Sequence, residues 1–315
     1  MIISVSYFKP TFLQISSIIS VILLLELSYS LSPLFDILSV SDFSPNLSVY
    51  LKGVTGNKNI TSSIFAMKIP FVYYVLYRSK NFSIKLSAFL LIFLTLFLLF
   101  FLSTRGILIS IILLYFIFPL VYFFVKSTKK SFLVLVSFYL PLLFSLVFYN
   151  LTISKNSNFK VDQRITSVFS PSESSVNARL RYYKNATDQI ISSPFTGLGL
   201  GNWKIKSIQY DKDNIVGYTV PYNAHNDLLE FGAEIGVLGL VSYLVFFFSL
   251  LYRAVSFFIK DRSNLIPLVL LYVMFIYFVD LNLNFPTYRP VAHIVFIFVA
   301  SMVINLNYFT NENKL

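Results

Sequence analysis

The sequence predicts an all-α polytopic membrane protein, with about eight transmembrane helices and one long extracytoplasmic, partly helical loop. Three observations predict it. Hydrophobic residues fill 56% of the 315 positions and charged residues only 12%, against about 25% charged in a soluble domain. Apolar runs at 86–102 and 107–125 reach or approach the ~20 residues that cross a bilayer. The cations gather in short clusters between such runs, which is how membrane topology is encoded. The net charge of +11 therefore reads as topology, and nucleic acid is excluded as a partner. Cysteine is absent, so disulfides, thiol catalysis and Cys metal sites are excluded.

Taken in order, residues 11–34 are apolar with one acid, Glu26. The run is longer than the core of a signal peptide, and no clear small-residue cleavage site follows, so it predicts a first span. Residues 35–59 are rich in Ser, Asn, Gly and Pro and predict a loop. Further spans follow at 60–77, interrupted by Lys68 and Pro70, and at 86–102, 107–125 and 132–149, with a tight turn at 103–106. Residues 150–226 are the only long hydrophilic region, and spans at 228–252, 265–281 and 291–306 close the chain. This divides the chain into an N-terminal transmembrane bundle (1–149), an extracytoplasmic loop carrying the site motifs (150–226) and a C-terminal transmembrane bundle (227–315). The cationic clusters at 78–85, 126–130 and 253–262, with Lys9 and Lys314, all fall on one side. The positive-inside rule makes that side the cytoplasm, with both termini there and the long loop facing outward.

The outward side collects Asn57, Lys58, Asn59, Arg105, Arg179, Arg181, His225, Asn226 and Arg289. An Arg at the bilayer centre costs roughly 2.5–3.5 kcal/mol on insertion scales. At the membrane edge Arg105 costs less. It can meet an anion at headgroup height there, or simply anchor by snorkelling. Arg179, Arg181 and Lys184 lie on an expected helix opened by Ser174, Ser175 or Asn177. Arg181 and Lys184 share a face, while Arg179 and Lys184 do not. Guanidinium forks suit phosphate; a solvated basic face is the plainer alternative.

His225 precedes a helix carrying Asp227, Glu230 and Glu234 on one stripe. Acids in the first turns favour the positive end of the helix dipole. Glu234 lies deeper, beside Gly236 and Gly239, and reads as structural at a close approach of helices. A histidine can move protons near neutral pH, though a loop histidine is often ordinary. His293 is expected mid-span, without such neighbours. No metal site is supported, because the two histidines are far apart and no H-E-x-x-H or D-x-D pattern occurs. TGLGLG at 196–201 lacks the strand and βαβ frame of a nucleotide loop and reads as a tight turn after Pro194. No G-x-S-x-G elbow occurs.

Three motifs, in order, resemble the O-antigen ligase and O-antigen polymerase superfamily of bacterial envelopes. They are GNKN at 56–59 before an apolar span, LSTRG at 102–106, and a composite third motif. The third runs RLRYY at 179–183, PFTGLG at 194–199, His225-Asn226 and EIGVLG at 234–239. Tyr183 stands where the family carries Trp. The resemblance implies metal-independent glycosyl transfer without a cofactor, at the outer face of the bacterial inner (plasma) membrane. Direct displacement would invert the anomeric centre. The donor would be a glycan on undecaprenyl pyrophosphate. The acceptor would be lipid A–core in a ligase or another saccharide in a polymerase, with membrane lipids around both. The family's Arg and His positions fall on Arg105, Arg179 and His225 as catalytic residues. Arg181, Lys184, Asn57, Asn59, Asn226 and Arg289 accompany them as substrate-binding candidates. A non-catalytic flippase or polysaccharide exporter is the alternative from another class. It should carry mid-membrane charges and internal repeats. Here the mid-span charges are Glu26 and Lys68, and no repeat is evident.

Overall fold

The structure, a computed structural model, describes residues 10–40, 45–125, 129–152, 174–215 and 220–312. Lys9, Lys126, Lys314 and the loop segments 153–173 and 216–219 lie outside the described residues. Within them every regular element is helical. The helices are α1 (Phe12–Val40), α2 (Lys58–Arg78), α3 (Phe82–Leu102), α4 (Arg105–Val125), α5 (Lys129–Thr152), α6 (Ser174–Ser192), α7 (Trp203–Asp211), α8 (Asp227–Lys260), α9 (Ile266–Leu283), α10 (Pro290–Ile304) and α11 (Leu306–Glu312).

Among the described residues, six helices are long and apolar enough to cross a membrane: α1, α2, α3, the 135–152 part of α5, α8 and α9. Each expected span occurs as a helix. The segment Arg105–Ile117 of α4 and the 15-residue α10 are apolar but shorter. α2 is buried along almost its whole length and forms the centre, with α1, α3 and α9 packed on it. One apolar core joins both halves of the sequence, from Phe65, Phe71 and Phe101 to Phe247 and Tyr277. The two mid-span charges, Glu26 and Lys68, form an ion pair between α1 and α2. Pairing answers the penalty an isolated charge meets in hydrocarbon.

α8 is two helices joined at a kink. Gly236 has φ 72° and ψ 177°, outside the helical region. The cause lies in residues 194–199, whose backbone docks on the kink. Leu198 and Gly199 donate N–H to the carbonyls of Ala233 and Glu234 (3.0 and 2.8 Å), and Val237 donates to the Pro194 carbonyl (2.7 Å). A β-carbon at Gly236 would stand 2.5 Å from the Phe195 carbonyl oxygen, and one at Gly197 only 2.4 Å from that of Glu234. Glycine is thus required twice, for positive φ and for close backbone approach. This corrects the expected role of Gly236 and Gly239 as a meeting of helices. At Gly236 the partner is loop backbone, and at Gly239 the nearest atoms belong to Ile235 of its own helix.

Candidate functional site

Several helix ends meet at one end of the bundle. Asn57 caps α2, its side chain accepting from the Asn59 N–H at 2.9 Å. Ser103 ends α3 in the left-handed region (φ 47°), and α4 opens at Arg105. A β-carbon at Gly106 would stand 3.1 Å from Leu283 Cδ1. A small residue therefore lets the α3–α4 corner sit against the end of α9.

Two adjoining clefts result. Lys58, Asn59, Arg105, Arg179 and Asn284 line the first, a cavity of ≈ 150 Å³. Asn57, Asn59, Asn284, Phe285 and Arg289 line the second. Asn59 and Asn284 are shared between them. Asp280, also lining the second cleft, accepts from Ser63 Oγ and Asn284 Nδ2, each at 2.6 Å, and so ties α2 to the end of α9.

His225 stands beside this pair of clefts with φ 57°, an uncommon conformation for a non-glycine residue. Neighbouring groups hold the backbone there. The Ala224 N–H donates to Glu230 Oε2 (2.8 Å). The Asn226 side chain caps α8 by accepting from Leu228 and Leu229 N–H (3.0 and 3.1 Å). The Tyr183 hydroxyl reaches the His225 and Asn282 carbonyls, both at 3.2 Å. The imidazole lies nearly parallel to Tyr182 (6.1 Å, 17°) and meets the Phe285 ring edge-to-face at 4.9 Å. The Arg289 guanidinium stands 4.4 Å from the centre of that same Phe285 ring, within cation–π range. His225 Nδ1 and Arg289 Nε are both buried without a hydrogen-bond partner. Burial first, then the charges of Arg179 and Arg289, push the His225 pKa down to about 4. The imidazole is therefore neutral at pH 7, and it feels cations from both clefts.

The acids of α8 hold this arrangement together. Asp227 Oδ2 accepts from the Thr287 N–H (2.9 Å), in the turn that carries Phe285 and Arg289. Glu234 is fully buried; Oε1 accepts from the Trp203 N–H (3.0 Å) and Oε2 from the Tyr288 hydroxyl (2.8 Å). Glu234 thus clamps the start of α7 and the 285–289 turn, which is a structural role. Among the described residues, no group of three or more His, Asp or Glu is placed to hold a metal ion.

The candidates divide by position. Asn57, Asn59, Arg105, Arg179 and Arg289 line the clefts, and His225 adjoins them. Arg181 does not line them. It forms a two-pronged ion pair with Asp211, Nε to Oδ1 at 2.5 Å and Nη2 to Oδ2 at 3.2 Å. Two residues along a helix is a rotation of about 200°, so Arg179 and Arg181 leave α6 on nearly opposite sides. The Lys184 side chain is 78% exposed and lies 3.8 Å from Asp188. Asn226 commits its oxygen to the cap. His293 sits in the first turn of α10, not mid-span, and its Nδ1 is 2.8 Å from the Tyr277 hydroxyl. The helix begins at Pro290 because proline suits a first helical turn. Sequence reasoning missed Tyr182, Asn284 and Phe285. The signal for the last two was the polar, proline-containing break at 282–289 in an apolar stretch.

The helices and clefts define a multi-pass membrane protein with a cationic, histidine-bearing site at one end of its bundle. Residues 88–244 match the family model described as O-antigen ligase. The chain belongs to the O-antigen ligase superfamily. The matched segment contains Arg105, Arg179, Arg181, Lys184, His225 and Asn226, while Asn57, Asn59 and Arg289 lie outside it. Membership supports an O-antigen ligase or polymerase type of function, with a lipid-linked glycan and an acceptor as substrates. No curated protein matches the chain.

Proposed function

We propose that the protein transfers a glycan from undecaprenyl pyrophosphate to lipid A–core or another saccharide, in the manner of an O-antigen ligase. One observation carries this finer reading. A neutral His225 is acted on by Arg179 and Arg289, beside clefts that also contain Arg105.

Arg105, Arg179 and Arg289 bind the pyrophosphate, helped by the side-chain amides of Asn57 and Asn59. As the bond from the anomeric carbon to the phosphate oxygen breaks, negative charge grows on the leaving diphosphate. Fixed guanidinium donors stabilise that charge. The acceptor hydroxyl oxygen bonds to the anomeric carbon, and its proton passes to the neutral His225. General base help of this kind is typically worth about 10²–10⁴ in rate. Bound diphosphate offsets the charges of Arg179 and Arg289, so the donor itself makes His225 a better base. Diphosphate leaves without metal assistance, and direct displacement inverts the sugar.

For topology, we read α4 and α10 as spans, which completes eight. Exposed Arg78, Lys80, Lys85, Lys260 and Arg262 lie at the helix junctions remote from the clefts. The positive-inside rule then places those junctions in the cytoplasm of a bacterial inner membrane and the clefts outside. We retain the division into a 1–149 bundle, a 150–226 loop and a 227–315 bundle. The pairing of Glu26 with Lys68 gives those charges a structural use, which weakens the exporter alternative.

The test is transfer from a purified lipid-linked donor by the full chain in detergent, with chelator present. Lipid A–core and a second lipid-linked glycan are offered as separate acceptors. Transfer is expected to survive the chelator and to fall about 10²–10⁴-fold in His225→Ala. Undiminished activity in that variant removes His225 from the mechanism. Transfer to the lipid-linked acceptor alone makes the protein a polymerase.

A further inference from the structure

At the end of the bundle remote from these clefts lies a larger cavity, ≈ 630 Å³, between α8 and the last turn of α10. Its wall is one stripe of α8. Phe246, Leu250, Arg253, Phe257 and Lys260 follow one another at three- and four-residue steps and all line it, as residues on one helical face must. The stripe is graded. Phe246 and Leu250 form its deeper, apolar part, and Arg253, Ser256 and Lys260 its outer, polar part. From Phe246 to Lys260 the helix rises about 21 Å, which suits a single acyl chain.

The polar end is built around two cations and one ring. Arg253 donates Nε to the Val303 carbonyl (2.9 Å) and Nη2 to the Ile304 carbonyl (3.0 Å). These are the last carbonyls of α10, a natural seat for a cation. The Arg253 guanidinium and Lys260 Nζ stand 5.2 and 5.9 Å from the centre of the Phe257 ring. The two charges therefore face a common space at the membrane edge. The next acid along the chain, Asp261, accepts from Ser263 N–H (3.0 Å) and Oγ (2.5 Å).

We propose that this groove is a specific binding site for an anionic phospholipid of the cationic-side leaflet, its headgroup phosphate between Arg253 and Lys260 and an acyl chain along Leu250 and Phe246. Charge complementarity selects this occupant, since basic pockets between transmembrane helices bind anionic headgroups. A zwitterionic lipid carries its own cation against Arg253 and Lys260 and fits less well. The proposal stands apart from the glycosyl-transfer reading, because it uses none of the outer-face residues.

The test is native mass spectrometry of the full chain with phosphatidylglycerol and phosphatidylcholine supplied in equal amounts. One phosphatidylglycerol is expected to be retained in preference to phosphatidylcholine. Lys260→Gln, at an exposed position, should weaken that retention roughly fivefold, the effect of one basic residue near the surface. Arg253→Gln should weaken it as well. Lys85→Gln, at another exposed cation of the same end, should leave it unchanged. Equal retention of the two lipids by the wild type overturns the proposal. Unchanged retention in a folded Lys260→Gln also overturns it and leaves only annular lipid.

Discussion

Two arginines on α6, two residues apart, serve different surfaces. Arg179 faces the clefts shared with Arg105 and Arg289 and acts electrostatically on His225. Arg181 grips the buried carboxylate of Asp211 and fastens α6 to the end of α7. Residue type and local sequence are the same, so neither separates the roles. The helix rotation between them does, together with an acid 30 positions away. A guanidinium already forked onto a carboxylate has its charge compensated and two of its five donors committed. Arg181 was expected among the substrate-binding residues, and its geometry instead describes a fastening.

The largest break in this comparison should come at Arg179. Arg179→Lys keeps the charge but loses the planar fork. We expect about a 10²-fold loss of transfer, the scale of removing one electrostatic donor from a reacting site, with thermal stability unchanged. Near-normal turnover would reduce Arg179 to a surface charge.

The next effect is on pH dependence. With His225 held at about 4, the acid limb of kcat/KM, which reports the free enzyme, should fall near pH 4 and not near 6.5. Arg179→Gln should move that limb upward, because one of the depressing charges is gone, while Arg181→Gln should leave it in place. The sign for stability follows from the same shift. The unfolded chain binds more protons than the folded one between about 6.5 and 4, so this contribution is lost as pH falls through that window. An acid limb at 6.5 in the wild type would contradict the burial of the imidazole.

Arg181→Ala should spare turnover and lower thermal stability by about 1 kcal/mol. The estimate is modest because solvent screens a pair whose Arg side chain is 35% exposed. Smallest of all, Lys184→Ala should change stability by less than about 0.5 kcal/mol, since its partner lies at 3.8 Å on an exposed face. A large loss of transfer in either variant would move these residues back toward the substrate.

Much of this organisation was legible in the residues. Apolar runs placed the helices, six of which, among the described residues, are long and apolar enough to cross a membrane, because hydrocarbon demands long uninterrupted stretches. Side-of-membrane logic alone gathered Asn59, Arg105, Arg179 and Arg289 at one end. The structural role of Glu234 also followed from local chemistry. Other features needed coordinates. The partner of Arg181 is remote in sequence, so pairing could not be inferred from spacing. The kink at Gly236 depends on a loop some forty residues earlier, and a helical pattern of apolar residues runs through it without a mark. Phe285, which lies between His225 and Arg289, is one of 35 phenylalanines, and the polar break at 282–289 marks its segment but not which ring in it meets the imidazole.

The backbone bonds between residues 194–199 and the 233–237 kink have a mechanical consequence. They weld α6 and the first turns of α8 into a single plate, so Arg179 and His225 ride together at fixed separation. Arg105 and Asn59 belong to the membrane helices beneath. Asp227 and Glu234 tie that plate in turn to Thr287 and Tyr288, so the turn that carries Arg289 is fastened to it as well.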